Sequence, residues 1–151
     1  MPGSRHLGND AWEALLSAHA VLMKQFAAED IWPDVSMREY DVLYTLSKCR
    51  EPVRIGELNR HVLLSQPALS RLVDRLAERG IVERQSDPAD GRGVRLSLTD
   101  AGRILQREVG RKHARSVARA MTDRLTPGEL RELETICLKL ADRKREREYA
   151  P

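Results

Sequence analysis

Aromatic residues are scarce in this chain. One Phe, two Trp and three Tyr make up 4% of its 151 residues, whereas 41% of the residues are hydrophobic and 32% are charged. This composition favours a soluble, mainly helical protein over an aromatic-rich β-sandwich. The length suits one ordinary domain, or a compact domain with appended helices.

Cysteines are also few, since Cys49 and Cys137 are the only two in the sequence. Neither belongs to a CxxC pair or accompanies paired histidines, so neither a disulfide scaffold nor a zinc site is indicated. Lys48 and Arg50 beside Cys49 would favour a thiolate, but we expect both thiols to be buried structural groups in a reducing compartment.

Long apolar runs and targeting signals are absent as well. Nowhere do about 18 uncharged apolar residues follow one another, and the opening residues MPGSRHLGND contain no apolar segment. We therefore expect a cytoplasmic protein that neither spans nor is exported across a membrane.

The sequence carries no motif of the common enzyme classes. GxSxG, HExxH, the Walker loop and the Rossmann fingerprint are all missing. The four histidines, His6, His19, His61 and His113, are scattered along the chain. The sequence thus predicts a protein that is not an enzyme, with no cofactor and no metal.

The net charge gives little guidance about partners. It is only +3, because 26 Lys and Arg are nearly balanced by 23 Asp and Glu. Between Glu51 and Asp100, eight arginines face eight acidic residues, so this segment is formally neutral. Any binding of nucleic acid must therefore depend on where the arginines stand.

Helical periodicity dominates the first fifty residues. Apolar side chains recur at helical spacing over residues 10–29, which predicts a long amphipathic helix capped by Asn9 or Asp10. After the break at residues 32–34, Ser36 is suited to cap a second helix over residues 37–49.

Two further helices are predicted at the end of the chain. Thr99 is suited to cap a helix over residues 100–121, and Thr126 followed by Pro127 opens a last helix over about residues 127–147. The last helix has these apolar positions: Leu130, Leu133, Ile136, Cys137 and Leu140. We predict that the first and the last two helices bury their apolar faces against a second copy.

The middle of the chain contains a helix-turn-helix pattern. A short helix over residues 55–62 is followed by a tight connection, and then by a helix that Ser65 opens and Gly80 ends. The second helix alternates a buried face with a polar one, and the polar positions are Gln66, Ser70, Arg71, Asp74, Arg75 and Glu78. That polar face is available for recognition.

A β-hairpin is predicted directly after this motif. Residues 81–85 and 94–98 are β-prone, with Val94, Leu96 and Leu98 expected to face inward. Residues 87–93 between them contain Pro and Asp-Gly and are expected to form a mobile loop. A hairpin in this position is a wing.

The chemistry of these segments suits duplex DNA. An α-helix fits the major groove, and short polar side chains at its start let the backbone approach the bases. The residues of this kind are Ser65, Gln66, Pro67, Ser70, Arg71 and Arg75. The alternative is an ordinary capped surface helix.

On the wing, a long arginine at the tip suits the narrow, electronegative minor groove. Arg92 is that residue, and Asp90 is positioned to hold its guanidinium in a fork. Arg84 and Arg95 are either phosphate contacts or part of a solvated strand face.

The stretch over residues 65–102 resembles the MarR (multiple antibiotic resistance regulator) family. The similarity is carried by three segments in order: SRLVDRL followed by Arg79-Gly80, the wing Asp90-Gly91-Arg92, and LTDAG over residues 98–102. Any one of these segments alone would be weak, but their combined order and spacing are specific.

The resemblance implies a winged helix-turn-helix homodimer on a pseudo-palindromic operator in double-stranded DNA, more commonly a repressor. It implies DNA contacts from Ser65, Gln66, Ser70 and Arg71, and an Asp-x-Arg wing contact at Asp90 and Arg92. Residues 1–35 would form the N-terminal dimerisation helix, residues 36–99 the DNA-binding lobe, and residues 100–151 the C-terminal dimerisation helices.

The family also commonly binds small phenolic or anionic effectors between the dimerisation helices and the lobe. Residues that could line such a pocket are Trp12, His19, Met23, Tyr40 and Tyr44. Simple core packing is the alternative for each of them.

Two features leave alternatives open. A row of arginines spaced four apart is suited to a solvated helix face, or to DNA backbone or an acidic partner: Arg103, Arg107, Arg111, Arg115 and Arg119. A winged-helix module that binds protein without binding DNA is the rival function, because this fold supports both uses.

Overall fold

The computed structural model describes residues 3–141, which form six α-helices and a three-stranded antiparallel sheet. The elements in chain order are α1 (Gly3–Ala27), α2 (Met37–Ser47), β1 (Val53–Arg54), α3 (Ile55–Asn59), α4 (Gln66–Glu78), β2 (Val82–Asp87), β3 (Asp90–Leu98), α5 (Asp100–Thr122) and α6 (Pro127–Leu140). The predicted mainly helical fold with a small β wing is confirmed. None of the helices in this part of the chain has both the length and the apolarity needed to cross a bilayer.

Helix α1 starts earlier than its cap signals indicated. It begins at Gly3, so Asn9 and Asp10 lie inside the helix and cap nothing. The prediction was wrong because Asn and Asp cost only a fraction of a kcal/mol, about 0.7 at most, inside a helix and do not stop it. The helix ends at Ala27, close to the predicted end.

The other helix starts follow local capping chemistry as predicted. The Ser36 hydroxyl accepts a hydrogen bond from the Glu39 N–H, and the Glu39 carboxylate accepts one from the Ser36 N–H, which closes a capping box. Thr126 and Glu129 form a second box at α6, and the Thr99 hydroxyl caps α5. The end predicted for α6 near residue 147 lies outside the described residues.

The helix-turn-helix consists of α3 and α4. Helix α3 ends at Asn59, earlier than predicted, because the next N–H groups bond to carbonyls three residues back and tighten the chain into a turn. The Ser65 hydroxyl accepts from the Ala68 N–H at 3.3 Å and starts α4. Gly80 ends it in the left-handed region, at φ +69°, which glycine adopts without strain.

The sheet has the order β1-β3-β2. Strand β2 pairs with β3 from Val82 opposite Leu98 up to the wing turn, and β1 pairs with β3 through Val53 opposite Leu96. The strand β1 was not predicted, because two residues carry no recognisable periodicity. It attaches the wing to the start of α3.

The loop expected at residues 87–93 is mostly strand. Strand β2 continues to Asp87 and β3 starts at Asp90, so only Pro88 and Ala89 stand between them, beside an irregularity in register. Cross-strand hydrogen bonds extend the hairpin beyond its apolar residues. Val94 is also 43% exposed and does not face inward as predicted, since this part of β3 extends beyond the core.

The core lies under the helix-turn-helix. Its fully buried large side chains come from α2, α3, α4 and β3: Leu43, Leu58, Leu69, Leu76 and Leu96, with Val42 and Val73. Helix α4 thus turns its apolar side inward, and its polar side faces solvent.

Helices α1 and α6 leave most of their apolar surface uncovered. Trp12 is 58% exposed and Leu140 is 70% exposed, and α6 has no buried residue. Near the lobe, the end of α1 is attached to α5 through Phe26, which is buried. These two helices therefore need further contacts to bury their apolar faces.

Candidate functional site

The polar side of α4 presents the predicted recognition residues together. Ser65, Gln66 and Pro67 are exposed at its start, Arg71 and Arg75 are exposed further along, and Ser70 is half-buried. The free N–H groups at the start of α4 lie at the positive end of the helix dipole, and this arrangement favours the binding of a phosphate. That these side chains contact DNA stays a prediction.

The wing presents Arg92 next to the turn. Its side chain is exposed, and its backbone N–H donates to the Asp90 carboxylate at 3.1 Å. We expected Asp90 to hold the guanidinium of Arg92, but the ion pairs of the described residues do not include that contact. Asp90 contacts the backbone instead, because an Asp side chain readily accepts a hydrogen bond from the N–H two residues on.

Asp87 is a buried charged residue that was not predicted as part of the site. It is 2% exposed, and its carboxylate accepts from the Ala89 N–H at 3.0 Å and from the Arg54 Nε at 2.5 Å. The Arg95 Nε lies 3.2 Å away, in an ion pair that lacks hydrogen-bond geometry. The signal in the sequence was Asp87-Pro88, since Asp before a turn often bonds the backbone two residues on.

These contacts keep Asp87 ionised. The hydrogen bond from the Ala89 N–H is the main cause that lowers the pKa of the Asp87 carboxyl, and Arg54 adds to it, while burial acts in the opposite direction. Arg95, predicted as a wing contact to DNA, is thereby drawn toward Asp87 and is only partly exposed.

A groove of about 590 Å³ separates α3 and α4 from the wing. The side chains that line it are Arg54, Ile55, Gly56, Glu57, Arg60, Ser70, Arg84, Asp90, Arg92, Gly93, Val94 and Leu96. The fold therefore brings Ser70 of α4 and Arg92 of the wing into the lining of one groove. Arg84, also in the groove, forms an ion pair with Asp74 of α4.

A second, larger cleft of about 1090 Å³ lies between α1, α2 and α5. Four of the five predicted pocket residues line it: His19, Met23, Tyr40 and Tyr44. Trp12 does not line the cleft, and that part of the prediction was wrong. It lies seven residues before His19 on the same helix, which places it roughly 10 Å further along the axis.

His113 completes the floor of this cleft. Its ring lies 5.3 Å from that of Phe26, 5.2 Å from that of Trp32 and 5.5 Å from that of Tyr40, measured between centroids. Its Nδ1 is buried without a hydrogen-bond partner among the described residues. Burial lowers the pKa of His113, and the nearby charge of Glu29 partly opposes that change.

In the sequence, His113 is one of four scattered histidines, and no role was predicted for it. Gln106, Gly110 and His113 all line the cleft, and they recur at the spacing of one helix face. That spacing was the signal in the sequence that could have placed His113 on the same face as the other two residues. Burial also raises the pKa of the Tyr40 hydroxyl, and a hydrogen bond with Gln106 reduces the change.

The two cysteines differ. Cys49 is half-buried, its thiol donates to the Thr45 carbonyl at 3.3 Å, and burial raises its pKa, which disfavours the thiolate. Cys137 is exposed, so its predicted burial is wrong for the single chain, in which α6 has no buried residue.

Comparison with known proteins agrees with this architecture. A sequence model described as the MarR family matches residues 34–93. The multiple antibiotic resistance protein MarR of Escherichia coli (strain K12) is 29% identical over 107 residues, which are 71% of this chain and 74% of that protein. The chain is similar to the MarR family of transcription regulators.

Two solved structures of transcription regulators match nearly the whole chain. Sco3205 of Streptomyces coelicolor, solved in complex with DNA, has a TM-score of 0.77 and 27% identity, covering 93% of this chain and 89% of that one. PcaV of Streptomyces coelicolor, solved with its natural ligand, has a TM-score of 0.66 and 26% identity, covering 93% and 92%. These relatives are transcription regulators, which agrees with the prediction of a protein that is not an enzyme.

Proposed function

We propose that this protein is a MarR-type transcription regulator that acts in the cytoplasm as a homodimeric repressor on a pseudo-palindromic operator and is released by a small effector. The observation that carries the proposal is the groove between α4 and the wing. Ser70 of the helix and Arg92 of the wing both line it, so one lobe offers two different elements to DNA. The DNA complex of Sco3205 supports this reading.

Each lobe would place α4 in the major groove and the wing at the neighbouring minor groove. The exposed guanidinium of Arg71 is suited to a guanine edge, and Gln66 to an adenine edge. Arg92 is suited to the minor groove, where the potential is most negative. The contacts of Ser65, Pro67, Ser70 and Arg75 would then orient the helix on the backbone.

The uncovered faces of α1 and α6 support a homodimer. Ile136 is 49% exposed and Leu140 is 70% exposed on α6, and Trp12 and Leu16 are exposed on α1. A second copy with the same faces would cover them across a two-fold axis. In this proposal residues 1–35 and 100–151 form the dimerisation region, and the two α4 helices lie about 34 Å apart on one DNA face.

The cleft between α1, α2 and α5 supports binding of an effector. Its floor is aromatic, through Tyr40, Tyr44 and His113. Three arginines also line it, Arg38, Arg107 and Arg111, against one acidic residue, Asp41. A phenolic or anionic aromatic molecule fits this combination. PcaV, which was solved with its natural ligand, supports ligand binding by analogy. A ligand there would press on α5, which continues directly from the wing strand β3.

Fluorescence anisotropy tests the binding of DNA that the proposal requires. The probe is a duplex from the region upstream of the protein's own gene. We expect tight binding that weakens by roughly 10³-fold or more between about 50 and 200 mM salt. Arg92→Ala should weaken binding without changing the oligomeric state. Arg115→Ala, on an exposed face of α5 outside the groove, is the control and should bind as the wild type does.

The rival function predicts different data. A winged-helix module that binds only protein would not bind any duplex in a salt-dependent way, and Arg92→Ala would leave the titration unchanged. Absence of binding to every duplex tested would overturn the proposal.

A further inference from the structure

Two arginines in the groove are not part of α4 or of the wing. Arg54 comes from β1 and Arg60 is the C-cap residue that follows α3, and both line the groove together with Arg92. Neither was predicted as a DNA contact from the sequence. Both lie next to α3, the first helix of the helix-turn-helix.

The groove gathers four arginines from residues 51–100, a segment that is formally neutral. The arginines that line it are Arg54, Arg60, Arg84 and Arg92. Arg54 pairs with Asp87 and Arg84 pairs with Asp74. The acidic residues in the lining itself are Glu57 and Asp90. Both acidic side chains are turned to the backbone. The Glu57 carboxylate accepts from the Arg54 N–H at 3.2 Å, and the Asp90 carboxylate accepts from the Arg92 N–H at 3.1 Å.

A buried carboxylate orients Arg54. The side chain of Asp87 is 0% exposed, and it binds Arg54 through the guanidinium Nε, while the Arg54 side chain remains 49% exposed. The guanidinium is a rigid planar fork, so a contact at Nε fixes the direction of its terminal nitrogens. Those nitrogens can meet a second anion on the groove side.

We propose that Arg54 and Arg60 bind the phosphodiester backbone of DNA inside this groove, with Asp87 as the positioning residue of Arg54. The proposal rests on the proposed function. A sugar-phosphate strand separates the major groove from the minor groove, so a lobe that puts α4 in one and the wing in the other must straddle that strand. The groove between them is where it passes, and phosphates need cations there.

Anisotropy titrations over a series of salt concentrations test the two arginines, using the upstream duplex and an unrelated duplex of equal length. Arg54→Gln and Arg60→Gln should each weaken binding to both duplexes alike. Each should reduce the salt slope by about 1 per lobe, hence about 2 for a dimer. Arg54→Lys should keep the slope, and Arg115→Gln is the matched control outside the groove.

A double-mutant cycle tests Asp87. Asp87→Asn should weaken DNA binding in the wild-type background but have little further effect in the Arg54→Gln background, if it acts through Arg54. Full additivity would show that Asp87 does not position Arg54. Thermal unfolding of each variant checks that it is folded. If Asp87→Asn does not fold, the comparison of Arg54→Lys with Arg54→Gln still tests Arg54, because Asp87 is unchanged in both variants.

The outcomes separate this inference from the function on which it rests. If the wild type binds DNA and both Gln variants match Arg115→Gln in slope and affinity, the phosphate site in the groove is wrong while the regulator stands. If the wild type binds no duplex, the proposed function itself fails.

Discussion

The imidazole of His113 meets the ring of Phe26 edge-on, with centroids 5.3 Å apart and planes at 90°. Phe26 belongs to the last turn of α1 and His113 to the middle of α5, so this contact joins the two helices beside the large cleft. An imidazole in such a position is stabilised as the neutral form.

His113 therefore makes stability depend on pH near neutrality. Its pKa is lowered from 6.5 in the folded chain, so the unfolded chain binds a proton first as the pH falls. Folding stability should be fully present above pH 6.5 and decrease as the pH falls toward the folded pKa. Urea unfolding at several pH values measures this decrease.

The variant His113→Phe isolates that contribution. It retains an aromatic ring and has nothing to titrate, so its stability should change less than that of the wild type between neutral and mildly acidic pH. Glu29 is the charged group that opposes the shift. Parallel pH curves for the two proteins would contradict the assignment.

Gly102 is required by close packing at the start of α5. A Cβ at this position would lie 2.1 Å from the Ile81 carbonyl oxygen, which also accepts hydrogen bonds from the Thr99 N–H and hydroxyl. Gly102→Ala should lower the free energy of unfolding by about 1–3 kcal/mol or more, because backbone must move. Gly56→Ala, whose Cβ would meet open space, should change it by less than about 1 kcal/mol.

Arg71 distinguishes base reading from backbone binding. If its exposed guanidinium reads a base edge, Arg71→Ala should reduce discrimination between the upstream duplex and an unrelated one by roughly 1–3 kcal/mol. Equal loss on both duplexes would make Arg71 a phosphate contact. Competition titrations at one fixed salt concentration measure the ratio.

Ile136 tests the dimer. It is 49% exposed on a helix without buried residues, so Ile136→Asp should leave the lobe folded but disrupt a dimer that uses this face. Sedimentation velocity should show a monomer, and operator binding should be lost with it. Thr135→Asp adds the same charge about 100° around the helix and should stay dimeric. A dimer of unchanged affinity in Ile136→Asp would place the interface elsewhere.

Local signals in the sequence predicted the helices that start with a hydroxyl cap. Ser36, Ser65, Thr99 and Thr126 each begin a helix where expected, and Gly80 ends α4. A cap is a hydrogen bond within a few residues, so neighbouring letters are enough to indicate it. The start of α1 was predicted wrongly because Asn9 and Asp10 are tolerated inside a helix.

The candidate site could be predicted only in part. The residues of α4 and the wing were identified because they follow one another in the chain. Three residues were missed because each joins its site from another segment of the chain: Arg54, Arg60 and His113. Trp12 was wrongly included because helical spacing shows which face a residue lies on but not whether the cleft extends that far along the helix axis.

The sequence by itself determined the order of the helices, the helix-turn-helix and the presence of a wing, since these depend on contacts between near neighbours. Tertiary structure decided the pairing of β1 with β3, the burial of Asp87 against Arg54, and the gathering of arginines in one groove. These contacts join residues separated by more than thirty positions, as in the pair of Arg54 and Asp87. Only packing of the whole core brings such groups together, because no local pattern encodes which distant partner a charge will meet.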